Sequence, residues 1–392
     1  MREYGRQNTY HIMKILFVME YFTPHIGGAE VLFDNLCKGL AAGGNEVTII
    51  TSKLNGTKEF EISEGVKIHR VKVPLKGARY WFTFLSIPKI LKNAKYCDLI
   101  NTTTYNGAFP AWIVARLRKK PCIITVLESN PAMWKESGFQ GIVMWMHKLY
   151  ENFLFRLPFT RYVAISEYTR ECLVKYFGVS KSKIDIIYCG VDYELFNPVK
   201  ANGTRVRKNL QLNGEFTYIY YGRPGFTKGV EYLINAVPMI SKNINNSKLI
   251  LILAKDPKSR YEDIIRRIEI LKIADKVILL EPVSREELPD YISAADCVVI
   301  PSLTEGFGLS AAEACAMKKP LVTTNICSLP EVVSGKCVLV EPRNAKAISE
   351  GVIKVFKDDT DIRALKLFTW NECINRYFHV YTEIMSEEDF RK

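Results

Sequence analysis

The stretch 297–323 constrains this chain most, because its pattern predicts a strand, a loop and a helix in direct succession. The apolar run Cys297 to Ile300 is typical of a buried strand in a parallel sheet, and the loop 302–308 that follows contains two glycines. Leu309 to Met317 then predicts a helix, and Leu321 to Thr323 predicts the next strand. Glycines at such a junction allow a ligand to approach the backbone closely. The stretch therefore predicts a ligand site at the end of a strand of an α/β sheet.

Two carboxylates flank the start of this predicted helix, Glu305 in the loop and Glu313 inside the helix. At a rise of about 1.5 Å per residue, Glu313 lies roughly one turn into the helix, above the loop that holds Glu305. The free N–H groups at a helix start favour an anion such as phosphate. Two carboxylates on either side of a phosphate site suit the hydroxyl groups of a nucleotide-sugar. The other interpretation of this spacing is a surface loop with two ordinary helix-face glutamates.

Two cations follow another predicted strand. Arg223 and Lys228, in the segment GRPGFTKG, come after the strand Tyr218 to Tyr221 and before a helix. Ligands of parallel α/β sheets bind at the carboxyl ends of strands, so both side chains are placed to meet a diphosphate. Arginine supplies a planar fork of donors and lysine a compact charge, which together can neutralise a departing nucleoside diphosphate. A solvated loop is the default interpretation of such a pair.

A glycine pair marks the first strand-to-helix junction. Gly27 and Gly28 join the predicted strand Lys14 to Met19 to a helix from about Ala29 to Ala42. At such a turn the N–H groups are free and no side chain blocks a ligand, although a plain turn would carry the same glycines. The later predicted strands alternate with helical stretches, which is typical of parallel α/β sheets.

The stretch 297–323 resembles the E-x7-E signature of family-4 retaining glycosyltransferases, also described as glycosyl transferases group 1. The Gly-Gly loop, the GRPGFTKG segment, the segment YCGVDYELFNP and the terminal FTW…Y helix resemble further parts of this family, so the resemblance spans most of the chain. It implies the GT-B fold, an α/β architecture of two Rossmann-like domains with parallel sheets facing across a cleft. The acceptor-binding domain is expected at 13–195 and the nucleotide-sugar donor-binding domain at 196–369. The helix at about 370–388 is expected to pack back on the first domain.

The resemblance also implies roles for individual residues. Arg223 and Lys228 would stabilise the departing diphosphate, while Glu305 would hold sugar hydroxyls and stabilise positive charge at the anomeric carbon. Glu313 would bind the ribose, and the main chain around Val283 would meet the base. The expected catalytic residues are Glu305, Arg223, Lys228 and Glu128. The expected donor-binding residues are Gly27, Gly28, Arg223, Lys228, Val283, Glu305, Gly306, Phe307, Gly308, Leu309 and Glu313.

One position departs from the family pattern. Members usually carry a histidine near the transferred sugar where this chain has Leu127, at the end of the predicted strand Cys122 to Val126. Leucine can neither hydrogen-bond a hydroxyl nor carry a proton. The neighbouring Glu128 either takes over part of this role or only orients the loop.

Composition predicts a protein that acts inside the cell. No apolar run approaches the roughly 18 residues of a membrane-spanning helix, and the N-terminus lacks a signal-peptide pattern. The ten cysteines are irregularly spaced without a C-x-x-C pair, which predicts reduced thiols and no zinc site. We therefore expect a cytoplasmic protein, with the inner face of the cell membrane as a further place of action.

The net charge of +12 is unevenly distributed, because twelve Lys or Arg residues and a single acid, Asp98, lie between positions 67 and 120. The segments 76–95 and 141–156 interleave basic and aromatic residues, which fits helices in the interface of an anionic membrane. Packing of these aromatics onto the domain core is the other interpretation. No nucleic-acid-binding motif accompanies the charge, so phosphates or lipid headgroups account for it. The aromatics are Tyr80, Trp81, Phe82, Phe84, Trp145, Phe153 and Phe155.

With the resemblance, the sequence predicts a retaining transferase that moves a hexose-type sugar from a nucleotide-sugar to an acceptor hydroxyl. The acceptor would be lipid-linked or a glycan, in glycan, glycolipid or cell-envelope biosynthesis. The acidic pair Asp359 and Asp361 lies in a predicted loop far from every donor motif, so no metal or other cofactor is expected. One rival is a sugar-nucleotide epimerase or hydrolase of the same fold, which would consume donor without an acceptor. Another is a catalytically silent protein that binds nucleotide-sugars or polyanions.

Overall fold

The computed structural model describes residues 12–25, 27–74, 77–129 and 141–387, which form two sheets with helices packed against them. The first sheet has eight strands in the order β3-β4-β2-β1-β5-β6-β7-β8, and every neighbouring pair is parallel except the antiparallel pair β3–β4. These strands are β1 (Lys14–Val18), β2 (Glu46–Ser52), β3 (Phe60–Ser63), β4 (Val66–Val71), β5 (Leu99–Thr103), β6 (Cys122–Val126), β7 (Arg161–Ala164) and β8 (Ile184–Ile186).

The second sheet has seven strands in the order β11-β10-β9-β12-β13-β14-β15, and only its edge pair β14–β15 is antiparallel. Apolar runs fill its central strands and are buried on both faces, as expected for parallel sheets covered by helices. The strands are β9 (Phe216–Gly222), β10 (Ser247–Leu253), β11 (Val277–Leu280), β12 (Cys297–Ile300), β13 (Leu321–Thr324), β14 (Gly335–Val340) and β15 (Asp361–Arg363).

Fourteen α-helices connect the strands of the described residues. Those of the first half are α1 (Gly28–Ala42), α2 (Ala78–Leu85), α3 (Ile87–Ala94), α4 (Ala108–Arg118), α5 (Gly141–Phe155) and α6 (Glu167–Phe177). Those of the second half are α7 (Gly203–Asn209), α8 (Val230–Asn243), α9 (Lys258–Ile270), α10 (Leu288–Ala294), α11 (Leu309–Ala316), α12 (Leu329–Val332) and α13 (Ala345–Phe356). The last is α14 (Trp370–Ser386).

Strand β5 is longer than its apolar residues indicate, because its second half is polar. Only Leu99 and Ile100 are apolar, whereas the strand continues to Thr103. Thr102 is buried, and its hydroxyl donates to the Val18 carbonyl at 2.8 Å. A buried polar side chain with such a partner fits inside a sheet, so hydrophobic pattern alone could not locate the end of this strand.

Helix α14 packs beside α1 and reaches the first sheet with two buried tyrosines. The Tyr377 hydroxyl lies 3.1 Å from the Thr125 hydroxyl of β6, and the Tyr381 hydroxyl accepts a hydrogen bond from Asn101 of β5. The chain thus crosses between its halves twice, once after β8 and once before α14.

The acidic pair Asp359 and Asp361 lies at the edge of the second sheet. The prediction of a loop holds for Asp359 but is wrong for Asp361, which begins the antiparallel edge strand β15. Both side chains are exposed. A three-residue strand without an apolar pattern gives no sequence signal.

Candidate active site

A cavity of about 400 Å³ is lined by residues of both halves of the chain. Its walls are formed by segments that follow strands β1, β6, β9 and β12, so the carboxyl ends of strands from both sheets meet there. Ligands of parallel α/β sheets bind at this end of the strands. Every predicted site residue lines it, namely Gly27, Gly28, Glu128, Arg223, Lys228, Val283, Glu305, Gly306, Phe307, Gly308, Leu309 and Glu313.

Glu305 is held by two hydrogen bonds at the bottom of the loop between β12 and α11. Its Oε1 accepts from Lys228 Nζ at 2.7 Å and from the Ser302 hydroxyl at 2.7 Å. Because both bonds fall on Oε1, Oε2 can accept from a ligand hydroxyl. The carboxylate is therefore oriented by its own loop and by a cation from the loop after β9.

Gly229 allows the loop of Lys228 to approach the loop of Glu305. Its φ of 63° lies in the left-handed region, and a Cβ there would lie 2.1 Å from the Pro301 carbonyl oxygen. The Leu303 N–H donates to the Thr227 carbonyl at 2.7 Å and joins the two loops. The last glycine of GRPGFTKG thus has a steric reason, since no side chain fits at this crossing.

Arg223 lies directly after β9 with an exposed side chain. The Tyr220 hydroxyl donates to the Arg223 carbonyl at 3.0 Å and fixes the backbone at the strand end. Among the described residues, the Arg223 guanidinium forms no hydrogen bond or ion pair. It therefore has its full set of N–H donors available for an anion entering the cavity.

Glu313 is buried in α11 and pairs with Arg285, whose Nη2 lies 2.9 Å from Glu313 Oε1. Burial raises the pKa of the Glu313 carboxyl, and the adjacent guanidinium acts in the opposite direction. Arg285 also lines the cavity, although the sequence analysis did not select it. The signal was its position two residues after Val283, in a segment already expected to meet the base.

The glycine pair of the first half faces the second half across the cavity. Gly28 begins α1, and a Cβ on it would lie 3.6 Å from a Leu309 methyl group. A Cβ on Gly27 would lie 2.4 Å from Glu30 Oε2, and Glu30 is held by His25 Nδ1 at 2.8 Å. The first turn of α1 is thus close to the start of α11, and both helix starts present N–H groups.

The departure at Leu127 lies at a close contact between the two halves. A Cβ on Gly306 would lie 1.7 Å from the Leu127 carbonyl oxygen, so only glycine fits there. Next to it, the Thr304 hydroxyl donates to Glu128 Oε1 at 2.6 Å. Burial raises the pKa of Glu128, while Thr304 and the charge of Lys228 lower it. Glu128 is thereby a carboxyl group fixed across the boundary, close to Lys228 and Glu305.

The chain matches two family models, one in each half. Residues 26–195 match the model described as Glycosyltransferase Family 4, and residues 203–367 match the model described as Glycosyl transferases group 1. The chain therefore belongs to the glycosyltransferases that these two models describe.

Curated and solved relatives agree with this assignment. The glycosyltransferase is 27% identical over 305 residues to UDP-Gal:alpha-D-GlcNAc-diphosphoundecaprenol alpha-1,3-galactosyltransferase of Escherichia coli, with 75% of this chain and 74% of the relative covered. It superimposes on sucrose-phosphate synthase from Thermosynechococcus elongatus with a TM-score of 0.79 and 20% identity, covering 95% of this chain and 99% of that chain. Anabaena HepE in complex with UDP-glucose gives a TM-score of 0.73 and 17% identity, covering 95% and 100%. The predicted GT-B fold is confirmed.

A second contact between the two halves of the glycosyltransferase escaped the sequence analysis. Ser166 caps α6, because its hydroxyl accepts from the Thr169 N–H at 3.1 Å. The carboxylate of Glu331, in α12, accepts from the Glu167 and Tyr168 N–H groups at 2.9 and 3.0 Å. A side chain from one half therefore completes the helix cap of the other.

The two segments predicted to contact a membrane form α2 with α3, and α5; residue 76 lies outside the described residues. The Tyr80 hydroxyl of α2 lies 3.0 Å from His147 Nε2 of α5, so these two helices are neighbours. Two of the predicted interfacial aromatics, Phe82 and Phe155, are instead buried in the domain core. Exposed apolar side chains on α2 and α5 are Tyr80, Trp81, Phe84, Leu85, Ile142, Val143, Trp145, Met146, Leu149 and Phe153.

The part of the glycosyltransferase that the structure describes holds neither a cluster of metal ligands nor a membrane-spanning helix. No group of three or more His, Cys, Asp or Glu side chains is arranged there to hold a metal ion. Within the same residues, no helix has the length and apolarity to cross a membrane.

Proposed function

We propose that this glycosyltransferase is a retaining, metal-independent enzyme that transfers a hexose-type sugar from a nucleotide-sugar to an acceptor hydroxyl. The observation that carries the proposal is the convergence of Arg223, Lys228, Glu305 and Glu313 on one cavity whose opposite wall holds Gly28. The two cations suit a diphosphate, and the two carboxylates suit the hydroxyl groups of the sugar and the ribose on either side of it. A polyanion-binding protein has no need of the two carboxylates.

Charge on the departing diphosphate would be stabilised by Arg223, by Lys228 and by the N-terminus of α11. Fixed donors of this kind act strongly in a site that excludes water, which is the work that a metal ion performs in other transferases. A phosphate oxygen of the leaving group would take the proton from the acceptor hydroxyl as the new C–O bond forms on the same face. The route needs no separate base, so Leu127 is compatible with activity.

Glu305 would stabilise the positive charge that develops at the anomeric carbon. Its Oε1 is occupied by Lys228 and Ser302, and Oε2 would accept from a sugar hydroxyl. Through its hydrogen bond from Thr304, Glu128 would hold the loop of Glu305 against the first half and face the transferred sugar. Glu313 would accept from the ribose hydroxyls at the other end of the donor.

A lipid-linked acceptor at an anionic membrane fits the surface beside the cavity. Tyr150 of α5 donates to the Tyr105 carbonyl at 3.2 Å, and Thr83 of α2 donates to the Asn106 carbonyl at 3.2 Å. Both carbonyls follow β5, at the same edge of the sheet as Glu128. The exposed aromatics therefore lie near the acceptor side of the cleft. The Escherichia coli relative, whose name specifies a diphosphoundecaprenol-linked acceptor, supports this choice. The proposed place of action is the cytoplasmic face of the membrane.

The test is nucleotide release from UDP-, GDP- and ADP-sugars, with and without EDTA, in the presence and absence of membrane extract. UDP-sugars come first, because the names of two similar proteins contain UDP-Gal and UDP-glucose. We expect release that requires extract, survives EDTA and forms a product with the donor's anomeric configuration. Glu305→Ala and Arg223→Ala should each lower kcat by about 10²- to 10³-fold. Near-normal turnover in both variants would contradict the proposal.

Release without any acceptor would favour the epimerase or hydrolase of the same fold. Binding of a nucleotide-sugar without release under any condition would favour a catalytically silent protein. The panel therefore separates the proposed transferase from each of its rivals.

A further inference from the structure

The pair formed by Arg285 and Glu313 stands at the nucleoside end of the cavity. Glu313 has a side chain that is 5% exposed, whereas Arg285 is 38% exposed and reaches the cavity from the loop after β11. The Arg285 guanidinium carbon also lies 5.1 Å from the ring centroid of Phe196, a buried residue of the segment between the two halves. The guanidinium is thus held by an aromatic face on one side and by a carboxylate on the other.

The charge of Glu313 depends on this arginine. Burial raises the pKa of Glu313, and Arg285 is the charged residue that lowers it among the described residues. Tyr221, at the end of β9, also faces Glu313, but burial holds its pKa far above the ordinary value and it stays neutral. Its hydroxyl donates to the Ser310 carbonyl at 2.8 Å. Glu313 therefore has one counter-charge, and that counter-charge lines the ligand cavity.

We propose that Arg285 is a positioning residue of the nucleoside subsite, which holds Glu313 as an oriented carboxylate and so determines selection of ribose over 2′-deoxyribose. This inference rests on the proposed nucleotide-sugar function. An ionised carboxylate only accepts hydrogen bonds and can serve both hydroxyls of a ribose, whereas its protonated form becomes a donor itself. Because Oε1 is paired to Arg285, Oε2 would be the oxygen that accepts from the diol. A 2′-deoxy ligand leaves the carboxylate short of one donor, and such sites reject the analogue.

The chain offers a matched control in the same half. Arg260 Nη2 lies 3.0 Å from Glu231 Oε2, and the Arg260 guanidinium carbon lies 4.7 Å from the ring centroid of Phe226. This second pair has the same carboxylate-and-aromatic arrangement, but Arg260 and Glu231 do not line the cavity. Loss of Arg260 therefore reproduces the structural damage of losing Arg285 without touching the proposed subsite.

The test is calorimetric binding of UDP, GDP and ADP, each beside its 2′-deoxy counterpart, between pH 5.5 and 8. For the nucleotide that binds, the wild type should prefer ribose about 10²-fold, with a Kd nearly independent of pH. Arg285→Met should reduce this preference to below about 10-fold and weaken ribonucleotide binding as the pH falls, because Glu313 takes up a proton. Arg285→Lys should restore most of both properties. Arg260→Met should lower Tm but leave ribose preference unchanged.

Glu313→Gln keeps the shape of the side chain without its charge and should lose the ribose preference at every pH. The double variant Arg285→Met/Glu313→Gln removes the unpaired buried charge and tests the subsite if Arg285→Met alone is unstable; it should match Glu313→Gln. A wild type that binds none of the nucleotides would overturn the proposed function and this inference together. Retained ribose preference and a flat pH profile in Arg285→Met, with a wild type that binds normally, would overturn this inference alone.

Discussion

Glu128 is a half-buried carboxyl group whose ionisation opposes folding, because the surroundings desolvate its charged form. Burial raises its folded-state pKa, whereas in the unfolded chain a glutamate titrates near about 4.3. The stability contributed by the neutral form is therefore complete below about pH 4 and is lost as the pH rises through the folded-state pKa. We expect Glu128→Gln to raise Tm at pH 7.5 by about 1–2 °C, a small shift because the chain is long, and to have no effect near pH 4. Thermal unfolding at both pH values measures the difference.

Thr304→Val provides the opposite change at the same contact. The Thr304 hydroxyl lowers the pKa of Glu128, so its loss should lower Tm at pH 7.5 and have less effect near pH 4. A lower Tm of Glu128→Gln at pH 7.5 would show that the carboxylate stabilises the fold. Glu128 would then not be a functional residue that is retained at a cost in stability. A gain in Tm together with reduced turnover is the expected signature of a site residue.

Gly306 leaves no space for a side chain between the two halves. The added Cβ of Gly306→Ala would lie 1.7 Å from the Leu127 carbonyl oxygen, so the loop of Glu305 must move away. A shift of about 1 Å at a catalytic group can lower turnover about 10²-fold, and we expect a loss of this size in kcat. Gly43→Ala at the end of α1 is the control, because its Cβ would meet neighbours at 3.4 Å or more. Equal kcat values for the two variants would contradict the role assigned to the contact.

The residues predicted from sequence and those that were missed differ in how far away their partners lie. Arg223, Lys228, Glu305 and Glu313 each belong to a short strand–loop–helix pattern, so local spacing and family resemblance were enough to select them. No local pattern marks Glu331. Its role becomes visible only from its contacts with residues far away in the chain, among them Glu167 of α6, 164 positions earlier. Arg285 lies in a segment that was expected to meet the base, but its contact with Glu313 on another element is what distinguishes it from its neighbours. Local patterns selected side chains that line the cavity, whereas contacts between distant side chains become visible only in the fold.

At the scale of elements, strand patterns were the most reliable sequence signal. The strands β6 (Cys122–Val126) and β12 (Cys297–Ile300) have the predicted bounds, because each is a short, mostly apolar run. The edge strands β3 (Phe60–Ser63) and β15 (Asp361–Arg363) were missed, since each is mostly exposed. A strand that buries neither face has no alternation of apolar and polar residues by which the sequence could reveal it.

Helices α2 and α5 together carry the surface proposed to contact an anionic membrane. Trp81 is 48% exposed, Phe84 62% and Trp145 58%, and Lys148 and Arg156 supply positive charge at α5. Replacement of the three aromatics by serine should lower partitioning onto phosphatidylglycerol vesicles at least about 10-fold, because aromatic rings anchor such helices in the interface. Sedimentation with anionic and with neutral vesicles measures this, and high salt should weaken binding to the anionic ones.

A matched variant replaces exposed apolar residues of the second half. Ile362 is 80% exposed and Leu365 75% exposed, and neither belongs to α2 or α5. Their replacement by serine should leave vesicle binding unchanged. Equal loss of binding in both variants would mean that apolarity in general drives adsorption, and wild-type binding in the aromatic variant would exclude this face. Turnover on a water-soluble acceptor should be normal in either variant.

At the scale of the whole molecule, the active site exists only while the two halves are held together. The cavity takes Gly28 and Glu128 from one half and Arg223, Lys228 and Glu305 from the other. Polar contacts between the halves include that of Thr304 with Glu128 inside the cavity and that of Glu331 with the start of α6 outside it. Neither contact is part of a strand ladder, so we expect that each can be removed without unfolding either sheet.

Glu331 is the residue through which closure can be tested. Its carboxylate accepts from the Glu167 and Tyr168 N–H groups and from the Tyr188 hydroxyl, the last at 3.0 Å. The N-terminus of α6 also favours a negative charge at this place. Glu331→Ala leaves these donors without the carboxylate, a change of about 1–3 kcal/mol against the closed arrangement. We expect a larger radius of gyration in solution scattering and a higher KM for the donor, with Tm nearly unchanged.

Glu331→Gln keeps one acceptor oxygen but loses the charge, and it should lie between the wild type and the alanine variant in both measurements. Addition of donor should return the scattering curve of Glu331→Ala towards that of the wild type, because a ligand that contacts both halves favours closure. A scattering curve of Glu331→Ala identical to that of the wild type, at an unchanged KM, would show that the buried apolar contact between the halves holds the cleft closed without this carboxylate.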